Sequence, residues 1–187
     1  MPSPADATNA MARGPREAAG ASARGPLREG ERIASEYSPQ EERPLGSYVV
    51  LAGAFGSAFA IALLALRRSG RELPERVAPA DILLVGVAAH KLSRLVAKDK
   101  VTSFLRAPFT RFEESSGHGE VSERPRGHHL RLALGELLVC PYCLGMWAAT
   151  TLTLGLVAVP RLTRLIGSIL VSHTISDFLQ VAYRAVR

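Results

Sequence analysis

Apolar and polar residues fall along this chain in long blocks rather than in short periods. From Ser47 to Leu66 there are 20 residues without one charge, ended by Arg67-Arg68, which is the length and composition of a transmembrane helix. Gly53 and Ser57, and Gly56 and Ala60, stand four apart on it, so small residues line a face that another helix can approach closely. A second apolar block, about 80–97, has Asp81 at its start and His90, Lys91 and Arg94 near its end. Its clean run, Ile82 to Ala89, is too short to span alone. It spans if Lys91 and Arg94 snorkel to the interface; an interfacial or re-entrant helix is the alternative. A third block, Cys140 to Val159, is again 20 residues without a charge. The fourth, from Leu162 to about Tyr183, follows Pro160 and contains His173 and Asp177. The expected fold is therefore all-α: a small helical membrane bundle of three to four transmembrane helices, at about 47–67, 80–97, 140–159 and 162–185. A loop at 98–136 joins the second helix to the third.

Composition separates residues 1–46 from this body. They are Ala, Pro, Gly, Arg and Glu with almost no large apolar side chain, too little burial to offset the entropy of ordering. A disordered cytoplasmic tail is expected there, and a whole-chain mean hydropathy of only +0.11 conceals the apolar membrane domain of 47–187. Arg13, Arg16 and Arg24 precede no apolar stretch within the first 30 residues, so the start does not read as a signal peptide. Glu17, Glu29, Glu31, Glu36, Glu41 and Glu42 dilute the basic residues and argue for solvation rather than lipid contact. The positive-inside rule places the dense basic set from Lys91 to Arg131, with Arg184 and Arg187, in the cytoplasm together with both termini. Arg67, Arg68, Arg71 and Arg76 in the 67–79 connection pull the other way.

That orientation sets the compartment of the two cysteines, Cys140 and Cys143, which form Cys-Pro-Tyr-Cys where the third helix leaves the cytoplasm. Thiols stay reduced there, so a structural disulfide is not expected. The tetrapeptide is also that of glutaredoxins, but their fold needs a strand before the motif and further strands after it. The 44 residues after Cys143 read as two apolar helices, which excludes the thioredoxin-like fold. Cysteines at a helix N-terminus have lowered pKa, and two thiolates three apart are half of a zinc site. Cys140 and Cys143 with a histidine are therefore the candidate metal ligands, with zinc the candidate ion.

If the second and fourth helices run in the same direction, His90 and His173 lie at similar depth, and so do Arg94 and Asp177 one turn further on. An Arg94–Asp177 pair flanked by His90 and His173 is the expectation, since intramembrane charges pair or face a polar cavity; ordinary interfacial anchoring is the alternative. Asp81 and Glu136 complete the candidate polar cluster. In the 98–136 loop, Lys98, Lys100, Arg106 and Arg111 interleave with Phe104, Phe109 and Phe112. This suits a segment lying on anionic headgroups, aromatics dipping in and cations meeting phosphate. Nucleic acid is the less economical partner for the same mixture. Glu113, Glu114, Glu120, Glu123, His118, His128 and His129 read as a solvated hairpin or loop.

Several ordered motifs agree with a known pattern. His90-Lys91-Leu92-Ser93-Arg94-Leu95, Lys98-Asp99-Lys100-Val101-Thr102, Arg106-Ala107-Pro108-Phe109-Thr110, Arg124-Pro125-Arg126-Gly127, Gly135-Glu136-Leu137-Leu138, Cys140-Pro141-Tyr142-Cys143 and Trp147 together resemble a bacterial family known as domain of unknown function 1360. The resemblance covers about 80–183. It implies a small multi-pass protein of the bacterial inner membrane with no assigned activity, and it marks Asp81, Arg94, Asp99, Thr102, Arg106, Pro108, Glu136, Cys140, Cys143, Trp147 and Asp177. Two function classes follow. One is a structural or regulatory membrane protein, supported by the lack of a Gly-rich phosphate loop, a Ser/His/Asp order or an HExxH helix. The other is a membrane thiol oxidoreductase or metal-binding protein using Cys140 and Cys143, with Glu136 as a nearby acid or base. A transporter is a weaker third, since four short helices enclose a pathway only if the chain forms a homo-oligomer.

Overall fold

The computed structural model describes residues 43–186 and, before them, residues 30, 32–33 and 36–39. Most of the tail expected over 1–46 lies outside the described residues. The chain divides into two units, 1–46 and 47–187. In the first, Arg32 and Glu36 form an exposed ion pair at 2.8 Å, one turn apart.

Helix α1, Leu45–Arg68, is apolar on every side and ends at Gly70. Gly70 takes a positive φ of 71°, which glycine adopts without steric penalty. That turn lets the N–H groups of Gly70 and Arg71 bond back to the carbonyls of Arg67 and Leu66, both at 3.1 Å, satisfying carbonyls that the last turn would leave open. Helix α2, Pro79–Ala97, places proline in its first turn, where the missing N–H costs nothing. The 98–136 loop, expected to hold a solvated hairpin or loop from Glu113 to His129, is structured. A 3-10 turn at Lys100–Thr102 leads to the one-turn helix α3, Ser103–Arg106, and an antiparallel hairpin of β1, Thr110–Gly117, and β2, Glu120–Pro125. Helix α4 then runs His129–Val139. The apolar remainder forms α5, Pro141–Ala158, and α6, Pro160–Ala185.

Only Val159 separates α5 from α6, and prolines open both helices. The corner is tight because Gly155 has no side chain: a Cβ there would come within 2.7 Å of the Thr163 hydroxyl oxygen. That hydroxyl donates to the Val159 carbonyl at 3.1 Å. Helix α2 packs between α5 and α6, burying Ala88 and Ala89 against Ala148 and Leu152. Gly167 brings α6 close enough that a Cβ would sit 3.1 Å from Leu84. Small residues at the contacts make this a close-approach bundle of the kind found in lipid, where packing rather than hydrophobic exclusion holds helices together. Asp81 meets Arg164 and Lys91 meets Asp177, so α2 and α6 run parallel, while α5 runs against them. Phe55 of α1 meets Trp147 of α5 edge-on, ring centres 5.0 Å apart.

Helices α1, α5 and α6 are long and apolar enough to cross a membrane. Their large side chains stand uncovered, Val49 at 72 % and Phe178 at 67 % exposure, which in water would be an aggregation surface. Helix α2 falls outside that class because of Asp81, Lys91 and Arg94, yet it is the helix the others shelter. Its charges meet protein rather than lipid. Replacing Gly155 by leucine is expected to wedge α5 from α6 and to cost about 1–3 kcal/mol, read as a lowered unfolding midpoint of the detergent-solubilised protein; replacing Gly86, which has nothing within 4 Å, leaves the midpoint unchanged.

Candidate functional site

The hairpin is seated on the end of α2 by backbone and by one arginine. Val121 N–H donates to the Lys98 carbonyl at 2.9 Å and Lys100 N–H to the Gly119 carbonyl at 2.7 Å, with an Asp99–Glu120 bridge between them. The chain after α2 thus makes one isolated antiparallel bridge to the start of β2. Gly117 and Gly119 hold positive φ at the tip, and His118 sits between them. At the other end of the hairpin, Gly135 of α4 admits the Phe109 carbonyl and Pro125: a Cβ there would lie 2.7 and 3.0 Å from them. Arg131 donates to the Pro108 carbonyl from Nη2 at 2.6 Å.

Beneath this lies Arg106, wholly buried. Its Nε and Nη2 donate to the two Glu123 carboxylate oxygens, both at 3.0 Å. Its Nη1 donates to the Val96 carbonyl and to the Thr102 hydroxyl at 2.9 Å. Nη2 also reaches the Asp99 carbonyl at 3.0 Å. The planar guanidinium fork matches a carboxylate on one edge and backbone carbonyls on the other. Thr110 adds a hydroxyl bond to Glu123 at 2.7 Å. Burial pushes the Glu123 carboxyl up, but the Arg106 and Thr110 hydrogen bonds, the Arg106 charge and Ser103 outweigh it and hold it below the usual carboxylate value. Arg106 was expected on lipid headgroups; that expectation is corrected, because its charge is consumed inside the hairpin domain. Lys100 and Arg111 are exposed and Lys98 is half-buried, so these remain available at the surface.

Between the hairpin tip, α2 and α6 is a polar cleft of about 570 Å³, lined by His90, Lys91, Arg94, Glu120, His173 and Asp177 among others. Four of the six expected cluster members, His90, Arg94, His173 and Asp177, meet here. The expected Arg94–Asp177 pair does not form. Arg94 binds Glu120 at 2.5 Å, and Asp177 instead takes Lys91, 2.7 Å away and one turn back on the same face of α2. Reading Glu120 as part of a solvated hairpin or loop left its carboxylate without a partner, and it is the hairpin tip that carries it to Arg94. His173 Nδ1 lies 3.3 Å from the second Asp177 oxygen. The other two members lie elsewhere. Asp81 accepts two bonds from Arg164, at 2.9 and 2.8 Å, at the opposite end of α2. Glu136 accepts a short hydrogen bond from the Tyr48 hydroxyl, tying α4 to α1.

Cys140 and Cys143 are joined in a disulfide, a correction to the expectation of free thiols, and the sulfurs zinc would require are bonded to each other. Among the described residues no group of three or more His, Cys, Asp or Glu side chains is placed to hold a metal ion. The motif stands where α4 meets α5, with Cys140 as the N-cap of α5.

The sequence of this chain matches the family described as Protein of unknown function (DUF1360) over residues 84–183. The chain belongs to that family. It is 29% identical over 91 residues to UPF0713 protein YngL of Bacillus subtilis, a match covering 47% of this chain and 66% of that one. It is 32% identical over 83 residues to sporulation protein YjcA of the same organism, covering 43% of this chain and 70% of that one. No solved structure matches it. The family match takes in most of α2, the hairpin, α4, α5 and nearly all of α6.

Replacing Arg106 by methionine strands the Glu123 charge and is expected to cost about 3–5 kcal/mol, measured as lost amide-exchange protection in β1 and β2; changing Glu123 to methionine as well recovers part of it. Because the folded carboxyl is held low, its stabilisation is present above the unfolded value of about 4.3 and is lost as pH falls through the folded value. Protection of the hairpin should therefore drop below about pH 4, and Glu123→Gln should flatten that dependence while lowering protection at neutral pH.

Proposed function

We propose that this chain is a multi-pass protein of the bacterial inner membrane with its hairpin end in the cytoplasm, acting as a structural or regulatory element. The observation that carries this reading is the pairing of the charged groups. Arg106 with Glu123, Arg94 with Glu120, Lys91 with Asp177 and Asp81 with Arg164 each spend a charge on holding two elements together. The consequence is a hairpin fixed to the helix ends, a shape suited to presenting a surface beside the bilayer. The start of α1, the end of α2, the start of α5 and the end of α6 lie at that same end, as the positive-inside assignment requires. Lys100 and Arg111, with the exposed Phe104 and Phe112, support contact with anionic headgroups. Self-association through the open Gly53 and Gly56 face of α1 is part of the same proposal. YjcA is named for sporulation, and by extension we read the present chain as serving a process of that kind.

Topology reporters test the orientation. Green fluorescent protein fused after Arg187 should fluoresce, and alkaline phosphatase inserted near Pro74 should be active. The reverse pattern rejects the cytoplasmic placement.

A further inference from the structure

We propose that Cys140–Cys143 is a directional disulfide-exchange site, attacked at Cys143 by the thiolate of a protein dithiol at the membrane surface and releasing Cys140 first. The proposal goes beyond the structural reading and holds whichever side the hairpin faces.

The two sulfurs are bonded to each other but are not equivalent. Cys140 is the N-cap of the 18-residue helix α5, its backbone extended at φ −101° and ψ 102°, and its Sγ accepts a hydrogen bond from the Cys143 N–H at 3.2 Å. An acceptor in that position holds one of the N–H groups that a helix leaves open. When the acceptor is a thiolate, the helix dipole adds to it. Cys140 is thus the sulfur better able to carry negative charge, which makes it the better leaving group. Cys143, inside the first turn, lacks that position, and it is the more exposed of the two. Its neighbour Tyr142 is 93% exposed. Leaving-group stability and access therefore point at the same sulfur. The motif opens the apolar helix instead of lying within it, so a water-borne thiol can reach it at the interface.

The exchange balances in two steps. A partner thiolate attacks Sγ of Cys143; the new S–S bond joins partner to Cys143, and the Cys140–Cys143 bond breaks with its electron pair on Cys140. The partner's second thiol, as thiolate, then attacks its own sulfur in the mixed disulfide. Cys143 leaves as thiolate, and the partner departs as a disulfide. Two electrons and two protons pass from the dithiol to the cysteine pair, which ends as two thiols. The reverse sequence oxidises the pair. A reducing partner of the protein-dithiol class suits a site whose flanks, Pro141 and Tyr142, carry no charge of their own.

Glutathione serves as the probe, because its mixed disulfide with the protein can be trapped by alkylating the released thiolate before a second glutathione completes the reduction. The purified full-length protein in detergent is treated with glutathione, quenched with N-ethylmaleimide and mapped by peptide mass. The expected product carries glutathione on Cys143 and maleimide on Cys140, in about tenfold excess over the reverse arrangement. An even split, the reverse preference, no adduct, or a protein that forms no disulfide overturns the proposal. The single variants give an independent measure. Alkylation of Cys140 in C143S should be half-maximal below the free-cysteine value of about 8.5, and that of Cys143 in C140S at a higher pH. Equal midpoints also overturn it.

Discussion

The burial of one guanidinium, that of Arg106, is the constraint on which the end of this molecule depends. Taking such a charge out of water is costly unless a carboxylate and the remaining donors are matched in place. Glu123 supplies the carboxylate, and the Val96 and Asp99 carbonyls with the Thr102 hydroxyl take other N–H groups. These acceptors come from the last turn of α2, the turn after it and β2. Satisfying Arg106 thus fixes the hairpin against the helix in one geometry. A well-packed apolar side chain would hold the same elements together with less penalty for error. It would not specify their mutual angle as narrowly, since carbonyl and carboxylate acceptors must converge on one plane.

The cleft inherits its arrangement from that placement. With the hairpin fixed, Glu120 arrives at Arg94, and Arg94 is no longer available to Asp177. Asp177 then recruits Lys91, which is buried at 7% exposure and is among the costliest groups to leave unpaired. The paired charges thus follow one another from hairpin to α2 to α6. Helix α2 tolerates its charges because each has a protein partner, and α5 and α6 cover one side of it while Ile82 and Leu83 stand exposed on another. The same reasoning accounts for its small residues. Ala88 and Ala89 let α5 approach closely, packing against Ala148 and Leu152, as small residues do between membrane helices.

Legibility from sequence followed the range of the interaction concerned. Charge-free runs depend only on local composition, so α1, α5 and α6 were readable as long apolar helices, and the ordered motifs pointed to the family that the match over 84–183 shows. That α2 and α6 run in parallel entered the sequence reading as a supposition, and the Asp81–Arg164 and Lys91–Asp177 pairs are what establish it. The partner of Arg94 was not readable, because Glu120 is brought to it by a hairpin with Gly117 and Gly119 at its tip, and turn glycines in a polar stretch look like any loop. Arg106 was misplaced for a related reason. An arginine among phenylalanines has the same sequence signature on a headgroup as in a cage, and only Glu123, seventeen residues on, distinguishes them. The pairing of Cys140 with Cys143 was set aside on compartment grounds, whereas local geometry at a helix start brings the two sulfurs together in either compartment.

Cys140 also stands at a mechanical junction. Helix α4 is held to the hairpin by Arg131 on the Pro108 carbonyl and by the close approach at Gly135, and to α1 by Tyr48 and Glu136. Helix α5 is held to α2 through Ala148 and Leu152. The only non-helical residue between α4 and α5 is Cys140 itself. Any change in the angle at that residue must move the hairpin relative to the bundle or break one of those contacts. A disulfide from Cys140 to Cys143 ties the junction residue to the first turn of α5 and restricts the torsions through which that angle changes. Reduction releases the tie while the N-cap acceptor remains.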